Sequence, residues 1–533
     1  MIRDSLATAL RAALLDAGIE PPAEIHLERP ARREHGDWSS NVAMATAKAN
    51  GRVPRDLAGA LVERINAAPP RHVDRAEIAG PGFVNFHLQP TWLHDVLTDV
   101  VAAGEDGYAR LDLGAGTKVN VEFVSANPTG PLHAGGGRWA AFGDSLCRLL
   151  ERCGHEVHRE YYLNDRGVQM GLFGASLAAR RDGTDLPEDG YAGEYIAEWA
   201  AEMPADADPV AWGYERVKRD LRDSLAGIGV VFDTWASEQA LADSGEVDAA
   251  LGDLRARGVV FEEGGATWLR TTDFGDDKDR VLVKSDGEPT YLLPDIAYHR
   301  NKYARGFDLL IDVWGSDHHG YMARLKAGVQ ALGHAPDELE IILGQLVSLV
   351  RGGQEVRLSK RAGNLVLLDD LVAAVGSDVA RLTFLLQSLD SRQTIDLDLI
   401  TSQSNENPVF YVQYANARIH SIGRKAAEAG VLRRPIEEVD LSVLVHEREL
   451  DLLRKLDELP GVLALACADR APHKVTTWVR ELADRFHGFY HDCYVIGDVP
   501  PEVTQARLWL VEAARVGLSI GLDLLGVSAP EAM

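Results

Sequence analysis

The sequence predicts a multidomain α/β protein built around a parallel sheet, and three observations support this fold class. First, residues 119–124, 139–150 and 156–163 show strand, helix and strand patterns in turn, which together form a βαβ unit. Second, glycine-rich residues 133–138 separate the first strand from its helix. Third, the pattern becomes helical from about residue 400. At 533 residues, the chain is long enough for several domains.

The glycine-rich segment predicts a binding site for a phosphate or nucleotide. Small residues let a ligand approach backbone N–H groups, and the N-terminus of the following helix attracts negative charge. Gly154 stands where the end of this helix is expected. The spacing matches neither the GxGxxG fingerprint nor the GK[ST] phosphate loop, so these two sites are not predicted.

Composition limits the classes of function. With 55 basic and 81 acidic residues the net charge is −26, which argues against a general nucleic-acid coat protein and confines RNA contact to local patches. The four cysteines show no CxxC spacing, so neither a disulfide framework nor a zinc ribbon is predicted. Asp4 and Arg11 interrupt the amphipathic start of the chain, which predicts neither a signal peptide nor a membrane span. We therefore expect a cytoplasmic protein.

The stretch "NPTGPLHAGG" resembles the His-Ile-Gly-His signature of class I aminoacyl-tRNA synthetases, in which a histidine beside a helix start binds ATP phosphates. The longer "EFVSANPTGPLH" is similar to arginyl-tRNA synthetases. The resemblance implies a Rossmann-like catalytic domain that binds ATP through Pro131, His133, Gly135 and Gly136, with His133 catalytic. Gly136 stands where the signature has its second histidine, and a tight helix start is the alternative interpretation of this glycine.

A basic segment, "RLSKR" at residues 357–361, resembles the Lys-Met-Ser-Lys-Ser loop of the same class. Two cations around a serine on a mobile loop can close over a triphosphate and neutralise the charge that grows as pyrophosphate leaves. The resemblance implies that Ser359 and Lys360 contact ATP, with Lys360 and Arg357 catalytic. Arg357 replaces the first lysine of the loop. A solvated turn is the alternative.

Arginine recognition is implied by "TYLLPD", which resembles the family segment whose tyrosine and aspartate hold the guanidinium. Such a pocket needs an ionised carboxylate in the plane of the guanidinium. Tyr291 and Asp295 are assigned to this role, although Asp295 capping its helix is the alternative. Pro294 replaces the usual arginine before the aspartate. A hairpin around Asp286-Gly287 is predicted just upstream, pairing 281–283 with 290–292. Glu122, Ser125 and Asn127 are assigned to contact the amino end of the arginine substrate.

The segment "GSDHHG" at 315–320 follows a predicted strand at 309–314. Its Asp-His-His run allows a metal cluster, a polar loop or a substrate contact. Adjacent side chains diverge, so no metal site is predicted. The resemblance assigns His318 to the arginine site.

Three domains are predicted: 1–110, 111–400 with a helix-rich insertion at about 171–280, and 401–533. The first, an α/β module, is similar to the family's extra domain that contacts the tRNA elbow, and the last is similar to its all-helical anticodon-binding domain. For the basic residues of the first domain, the alternative is a solvated loop. For the tyrosines of the last domain, the alternative is an aromatic stripe in the core. The implied tRNA-binding residues are Arg32, Arg33, Asn41, Tyr414, Tyr490, Tyr494 and Met533.

The resemblance implies ATP-dependent activation of L-arginine and its transfer to tRNA(Arg), with Mg²⁺ held mainly by the triphosphate. We expect a monomer. Two alternatives stay open: an enzyme of the same fold that passes an adenylate to a small molecule without RNA, and a catalytically weakened paralogue that binds tRNA or arginine in regulation or biosynthesis.

Overall fold

The computed structural model describes residues 2–30, 32–356, 366–402 and 406–533. The chain forms two compact units. Unit 1 comprises Met1–Tyr108, Ser421–Asp457 and Asp484–Val516. Unit 2 comprises Ala109–His420, Glu458–Ala483 and Gly517–Met533. Elements are numbered in chain order, and each unit is described by itself.

Unit 1 contains a three-stranded antiparallel sheet with the order β1-β3-β2. Leu6, Leu10 and Leu14 of the first helix are buried, as their spacing predicts. The strands are β1 (Trp38–Ser40), β2 (Val73–Ala79) and β3 (Phe83–Leu88). The helices that lie wholly in this unit are α1 (Ile2–Asp16), α2 (Val42–Ala47), α3 (Pro54–Ala67), α4 (Thr91–Gly107) and α17 (Glu447–Asp457). Both units draw residues from α16 (Pro408–Glu428), α19 (His473–Asp492) and α20 (Pro501–Leu524).

A five-stranded parallel sheet forms the centre of unit 2 and confirms the predicted fold class. Its strands are β4 (Lys118–Glu122), β5 (Glu156–Leu163), β6 (Thr234–Ser237), β10 (Leu309–Gly315) and β11 (Leu339–Gly344), in the order β11-β10-β4-β5-β6. The chain builds outward from β4 to β6 and then returns to the other side. This reversal between β4 and β10 is a topological switch point, where open parallel sheets bind ligands.

Helices and two small sheets complete unit 2. The helices are α5 (Ala134–Arg152), α6 (Val168–Asp182), α7 (Glu194–Glu202), α8 (Pro209–Gly227), α9 (Glu238–Asp243), α10 (Glu246–Ala256), α11 (Leu292–Ala304), α12 (His319–Ala331), α13 (Leu368–Val375), α14 (Ser377–Phe384), α15 (Leu397–Ile400) and α18 (Leu459–Ala468). One small sheet joins β7 (Val260–Glu263), β8 (Ala266–Leu269) and β9 (Arg280–Val283). The other joins β12 (Val347–Arg351), β13 (Gln354–Val356) and β14 (Gln393–Asp396).

Several local predictions need correction. The predicted helix-rich insertion also contains β6, a strand of the central sheet. The predicted strand 290–292 does not form: only a single bridge joins Val283 to Pro289, and α11 begins at Leu292. Pro289 has no N–H to donate to a longer ladder. By contrast, Gly154 adopts a left-handed φ of 90° after α5, as predicted. Within the described residues, no helix combines the length and apolar character needed to cross a membrane.

Candidate active site

A cavity of about 970 Å³ opens in unit 2 at the carboxyl ends of β4 and β10. It brings together seven of the predicted substrate-binding residues: Glu122, Ser125, His133, Gly135, Gly136, Asp295 and His318. Further side chains from the central sheet and α12, including Tyr162, Asp312, Trp314 and Tyr321, complete its wall. The cavity therefore joins the predicted nucleotide and arginine sites.

His133 occupies the N-cap position of α5. Its Nδ1 accepts a hydrogen bond of 3.1 Å from the Gly136 N–H, so the neutral ring carries its proton on Nε2. A Cβ on Gly136 would lie 2.6 Å from the Cδ1 of buried Leu132. A larger residue at this position would therefore require the Leu132 side chain to shift.

Residues on either side of His133 pair with residues 366–368, which follow the basic segment in the chain. The Ala134 N–H donates to the Val366 carbonyl over 2.9 Å, and the Leu368 N–H donates to the Leu132 carbonyl over 2.8 Å. Ala134 already has this partner, so its N–H is not one of the backbone donors left for a phosphate at the helix start. The predicted ATP contacts Ser359 and Lys360 and the predicted catalytic residue Arg357 lie outside the described residues.

The backbone between β4 and the helix start is strained. The predicted strand 119–124 ends at Glu122, because Val124 and Ser125 take left-handed φ values of 70° and 37°. These conformations are costly for residues with a Cβ and occur preferentially at functional sites. Here they turn the chain so that both residues line the cavity.

Asp295 lies in the first turn of α11 and accepts a hydrogen bond from the Tyr321 hydroxyl of α12. Burial raises the pKa of this carboxyl to about 6, although the Tyr321 hydrogen bond acts to lower it. This side chain faces another helix rather than capping its own. Asp295 is therefore placed to meet a cation inside the cavity.

Two predicted arginine contacts lie outside the cavity wall. Tyr291 is 88% exposed, and Tyr321 takes the position beside Asp295 that was predicted for it. Asn127 donates to Gln169 over 2.9 Å and accepts from Asn164, which lines the cavity, over 3.0 Å. Pro131 is buried behind the wall.

A buried charge network lies behind the predicted arginine side of the cavity. Glu122 and Asp312 are register partners on β4 and β10, and the Lys302 ammonium donates to both, over 2.6 and 3.0 Å. His299 lies within 2.7 Å of Asp312 Oδ2 and of the Asp295 carbonyl. Although burial acts to lower it, the pKa of His299 is raised by the Asp312 carboxylate.

Sequence reasoning missed Lys302 and His299, although a signal was present. Asp295, His299 and Lys302 follow one another at spacings of four and three residues, which places them on one face of α11. A polar stripe on a helix that packs against a sheet indicates a buried polar site.

His318 lies at the exposed rim of the cavity beside Trp314, with 6.0 Å between the ring centroids. Its Nε2 is 3.7 Å from Asp317 Oδ2, and both side chains are exposed. Among the described residues, no group of three or more His, Cys, Asp and Glu side chains is arranged to hold a metal ion. The structure thus places the Asp-His-His run at a polar rim.

The predicted elbow-contact residues lie in unit 1. Arg32 is exposed and pairs with Glu34 over 3.4 Å. Arg33 forms ion pairs with Glu447 and, over 2.6 Å, with Asp451, both in α17. Asn41 holds the N-cap position of α2 without a capping side-chain bond. Arg33 would have to exchange these intramolecular partners for a phosphate.

The predicted anticodon-contact residues differ in exposure. Tyr494 in unit 1 is 73% exposed and Met533 in unit 2 is 55% exposed. Tyr414 in unit 2 is half-buried beneath the Arg418 guanidinium, 4.3 Å from the ring centroid. Tyr490 in unit 1 is half-buried beside Phe486. Tyr494 and Met533 present the most open surfaces of the four.

Comparison with known proteins identifies the class to which this fold and cavity belong. Residues 99–189 and 233–385 match the family model described as "tRNA synthetases class I (R), catalytic domain". Residues 2–88 match "Arginyl tRNA synthetase N terminal domain", and residues 412–533 match "DALR anticodon binding domain". The cavity is therefore that of a class I aminoacyl-tRNA synthetase. The chain belongs to the arginyl-tRNA synthetase family, and the predicted family and enzyme class are confirmed.

Individual arginine–tRNA ligases are similar to this chain over its full length. The chain is 48% identical to an arginine–tRNA ligase of Frankia alni and 46% identical to one of Desulforamulus reducens, covering 100% of this chain and 99% of each relative. The solved arginyl-tRNA synthetase of Thermus thermophilus has the same fold, with a TM-score of 0.74 at 22% identity over 100% of both chains. These matches favour an active ligase over the weakened paralogue.

Proposed function

We propose that the cavity at the switch point is where this ATP-dependent arginine–tRNA ligase makes arginyl-adenylate from L-arginine, before transfer to the 3′ end of tRNA(Arg). The observation that carries the proposal is that His133 at a helix start and Asp295 in an acidic wall line one cavity. In the first step, the arginine carboxylate attacks the α-phosphorus of ATP and pyrophosphate leaves. In the second step, a ribose hydroxyl of the tRNA attacks the arginyl carbonyl and AMP leaves.

The acidic wall supports arginine as the amino acid. Asp295 supplies a carboxylate for the guanidinium, and the Tyr321 hydroxyl orients that carboxylate. Glu122 and Ser125, 3.0 Å apart, offer oxygen acceptors for the α-ammonium. Asp295 and Glu122 thus give each of the two cationic groups of arginine its own carboxylate.

At the nucleotide side, the chemistry is mainly positioning and charge stabilisation. The His133 Nε2–H is a donor suited to a phosphate oxygen, and Gly135 and Gly136 line the cavity beside it. Lys360, Ser359 and Arg357 stay predictions from the sequence. Mg²⁺ is proposed to be held mainly by the triphosphate oxygens and water, as this ion prefers.

Pyrophosphate exchange tests this function most directly. We expect exchange of labelled pyrophosphate into ATP that requires L-arginine and, as the resemblance implies, bound tRNA(Arg). Tight arginine binding without exchange under either condition would instead fit the weakened paralogue. Exchange without charging of tRNA would fit an enzyme that transfers its adenylate to a small molecule.

The remaining assignments extend this proposal to tRNA. The elbow-contact domain 1–110 and the anticodon-binding domain 401–533 flank the catalytic domain 111–400, and their motifs and matched family models support tRNA(Arg) as partner. A cytoplasmic location is proposed together with this function, because a ligase that charges tRNA(Arg) acts where that tRNA is used. A monomeric state stays a prediction.

Arg32 and Tyr494 are expected to affect tRNA binding in different ways. Arg32→Ala should reduce the slope of log affinity against log salt by about one unit, because one phosphate contact is lost. Tyr494→Ala should weaken binding by about 1 to 3 kcal/mol and leave the slope unchanged, because stacking releases no counterions. Binding titrations at several salt concentrations measure both effects.

The half-buried Tyr414 and Tyr490 serve as the comparison for Tyr494. If they also stack on bases, alanine at each will weaken tRNA binding at constant melting temperature. A lowered melting temperature with unaltered tRNA affinity would assign them to the core instead.

A further inference from the structure

The Lys302 ammonium is fully buried between two carboxylates on neighbouring strands. Because Glu122 and Asp312 are register partners in the parallel pair β4 and β10, their like charges lie side by side. Burial alone would drive one of them to take up a proton. Lys302 reaches them from α11 and donates to both. The cation therefore decides the charge of this wall.

The two oxygens of Glu122 have different partners. Oε2 accepts from Lys302 over 2.6 Å, whereas Oε1 accepts from the Ser125 hydroxyl over 3.0 Å. Ser125 Oγ in turn accepts from the Tyr162 N–H over 3.1 Å, which fixes the hydroxyl. Glu122, Ser125 and Tyr162 all line the cavity. Lys302 thus holds the carboxylate through Oε2, while Oε1 lies beside Ser125 on the cavity side.

We propose that Lys302 is a positioning residue for the substrate: it keeps Glu122 ionised and directs its Oε1 toward the α-ammonium of arginine. This inference rests on the proposed arginine site. Asp312 is held by both Lys302 and His299, so a purely structural ion pair would not require Glu122 as a second acceptor. Three carboxylates, Glu122, Asp312 and Asp295, line the cavity around the Lys302 ammonium, and the cationic groups of the substrate offset this excess of negative charge.

The pH behaviour of Glu122 depends on every charged or titratable group around it. Those groups are Asp295, Tyr298, His299 and Lys302 from α11, Asp312 from β10, and Glu160 and Tyr162 from β5. Burial raises the pKa of Glu122, and the charge of Lys302 is the largest effect that lowers it. Removing Lys302 should therefore leave Glu122 protonated over a wider pH range.

The test compares calorimetric binding of L-arginine with that of the analogue in which hydrogen replaces the α-amino group. Wild-type enzyme should prefer arginine by roughly ten- to a hundredfold, the range for a hydrogen bond between charged groups. Lys302→Met should reduce this preference to near unity at pH 7 and restore part of it at higher pH, where Glu122 ionises. The affinity for the analogue itself should change much less.

Arg305→Met is the matched control. Arg305 follows the same helix and donates to Glu160, a buried β5 residue in register with Glu122, over 2.7 and 2.9 Å. This variant removes a similar cation but should keep the preference for arginine. Equal losses for both ligands in Lys302→Met, with the ratio intact, would overturn the positioning role.

A second variant guards against misfolding. Lys302→Met with Asp312→Asn removes one cation and one anion, so no unbalanced charge is added to the interior. It should fold and still lose the preference, because Glu122 Oε2 no longer has its donor and the carboxylate is no longer held in position. Failure of both variants to fold would assign Lys302 a purely structural role. If the wild-type enzyme shows no preference for arginine over the analogue, the proposed arginine site is wrong. If Glu122→Gln loses this preference while folded Lys302 variants retain it, only the proposed role of Lys302 is wrong.

Discussion

Lys360→Ala is expected to slow arginine activation by roughly 10²- to 10³-fold, which corresponds to about 3 to 4 kcal/mol of transition-state stabilisation. The negative charge on pyrophosphate grows as it leaves, so a cation that meets it only then lowers the barrier without improving arginine binding. Pyrophosphate exchange should therefore fall in kcat, while arginine affinity measured by calorimetry stays close to that of wild type.

Described residues around the basic segment support this expectation. β13 ends at Val356 and pairs with β12, whose Val347 and Ser348 line the cavity. On the other side, Val366 accepts from the Ala134 N–H beside His133. Both ends of the segment that contains Lys360 are thus attached to the cavity wall.

Lys284→Ala provides the control for Lys360, because Lys284 is an exposed lysine in the turn after β9. It should leave exchange and arginine affinity unchanged. If Lys360→Ala lost arginine affinity by the same factor as its exchange rate, Lys360 would contribute to folding or substrate binding and not to the chemical step.

Local patterns predict much of this fold. The periodicity of residues 119–163 is enough to predict β4, α5 and β5, because each element carries its own apolar pattern and its own stop signal. The boundary errors occur where tertiary structure overrides the pattern. Val124 is a typical strand residue, yet it takes a left-handed φ at the cavity.

Contacts between distant residues were beyond such reasoning. Tyr321 reaches Asp295 across 26 positions, and no local spacing relates them. The pairing of Leu132 and Ala134 with residues 366–368 is likewise invisible in either stretch alone. The sequence shows the polar stripe of α11. That Glu122 and Asp312 lie together as its partners follows only from the register of β4 and β10.

Asp295→Asn is expected to raise the arginine KM by the equivalent of about 2 to 5 kcal/mol, the range for removing one partner of a buried charge pair. Asparagine keeps an oxygen that can accept from the Tyr321 hydroxyl, so the side-chain orientation should survive while the charge is lost. Discrimination against citrulline should collapse as well. In wild type, a neutral side chain in place of the guanidinium leaves the carboxylate without its counter-ion.

Asp317→Asn is the matched control, because Asp317 lines the same cavity but is exposed to solvent. Water screens that charge, so its removal should raise the arginine KM far less. An Asp295→Asn enzyme that retained the wild-type arginine KM and still refused citrulline would contradict the assignment of Asp295 to the guanidinium.

The raised pKa of Asp295 makes the same substitution informative about stability and pH. Without ligand, the folded protein binds this proton more tightly than the unfolded chain, since the pKa moves from 3.8 to about 6. Stability therefore falls as pH rises from about 4 to 6, by up to about 3 kcal/mol, and the loss persists at pH 7. Asp295→Asn lacks this cost and should melt at a higher temperature than wild type at pH 7 in the absence of arginine. Arginine should narrow this difference in melting temperature, because it binds the wild-type carboxylate.

The wild-type arginine KM should rise roughly tenfold per pH unit below 6, because protonation of Asp295 removes its charge. The asparagine variant should show no such rise in this range. A variant that melts below wild type with a parallel pH profile would show that Asp295 serves the fold and not the substrate.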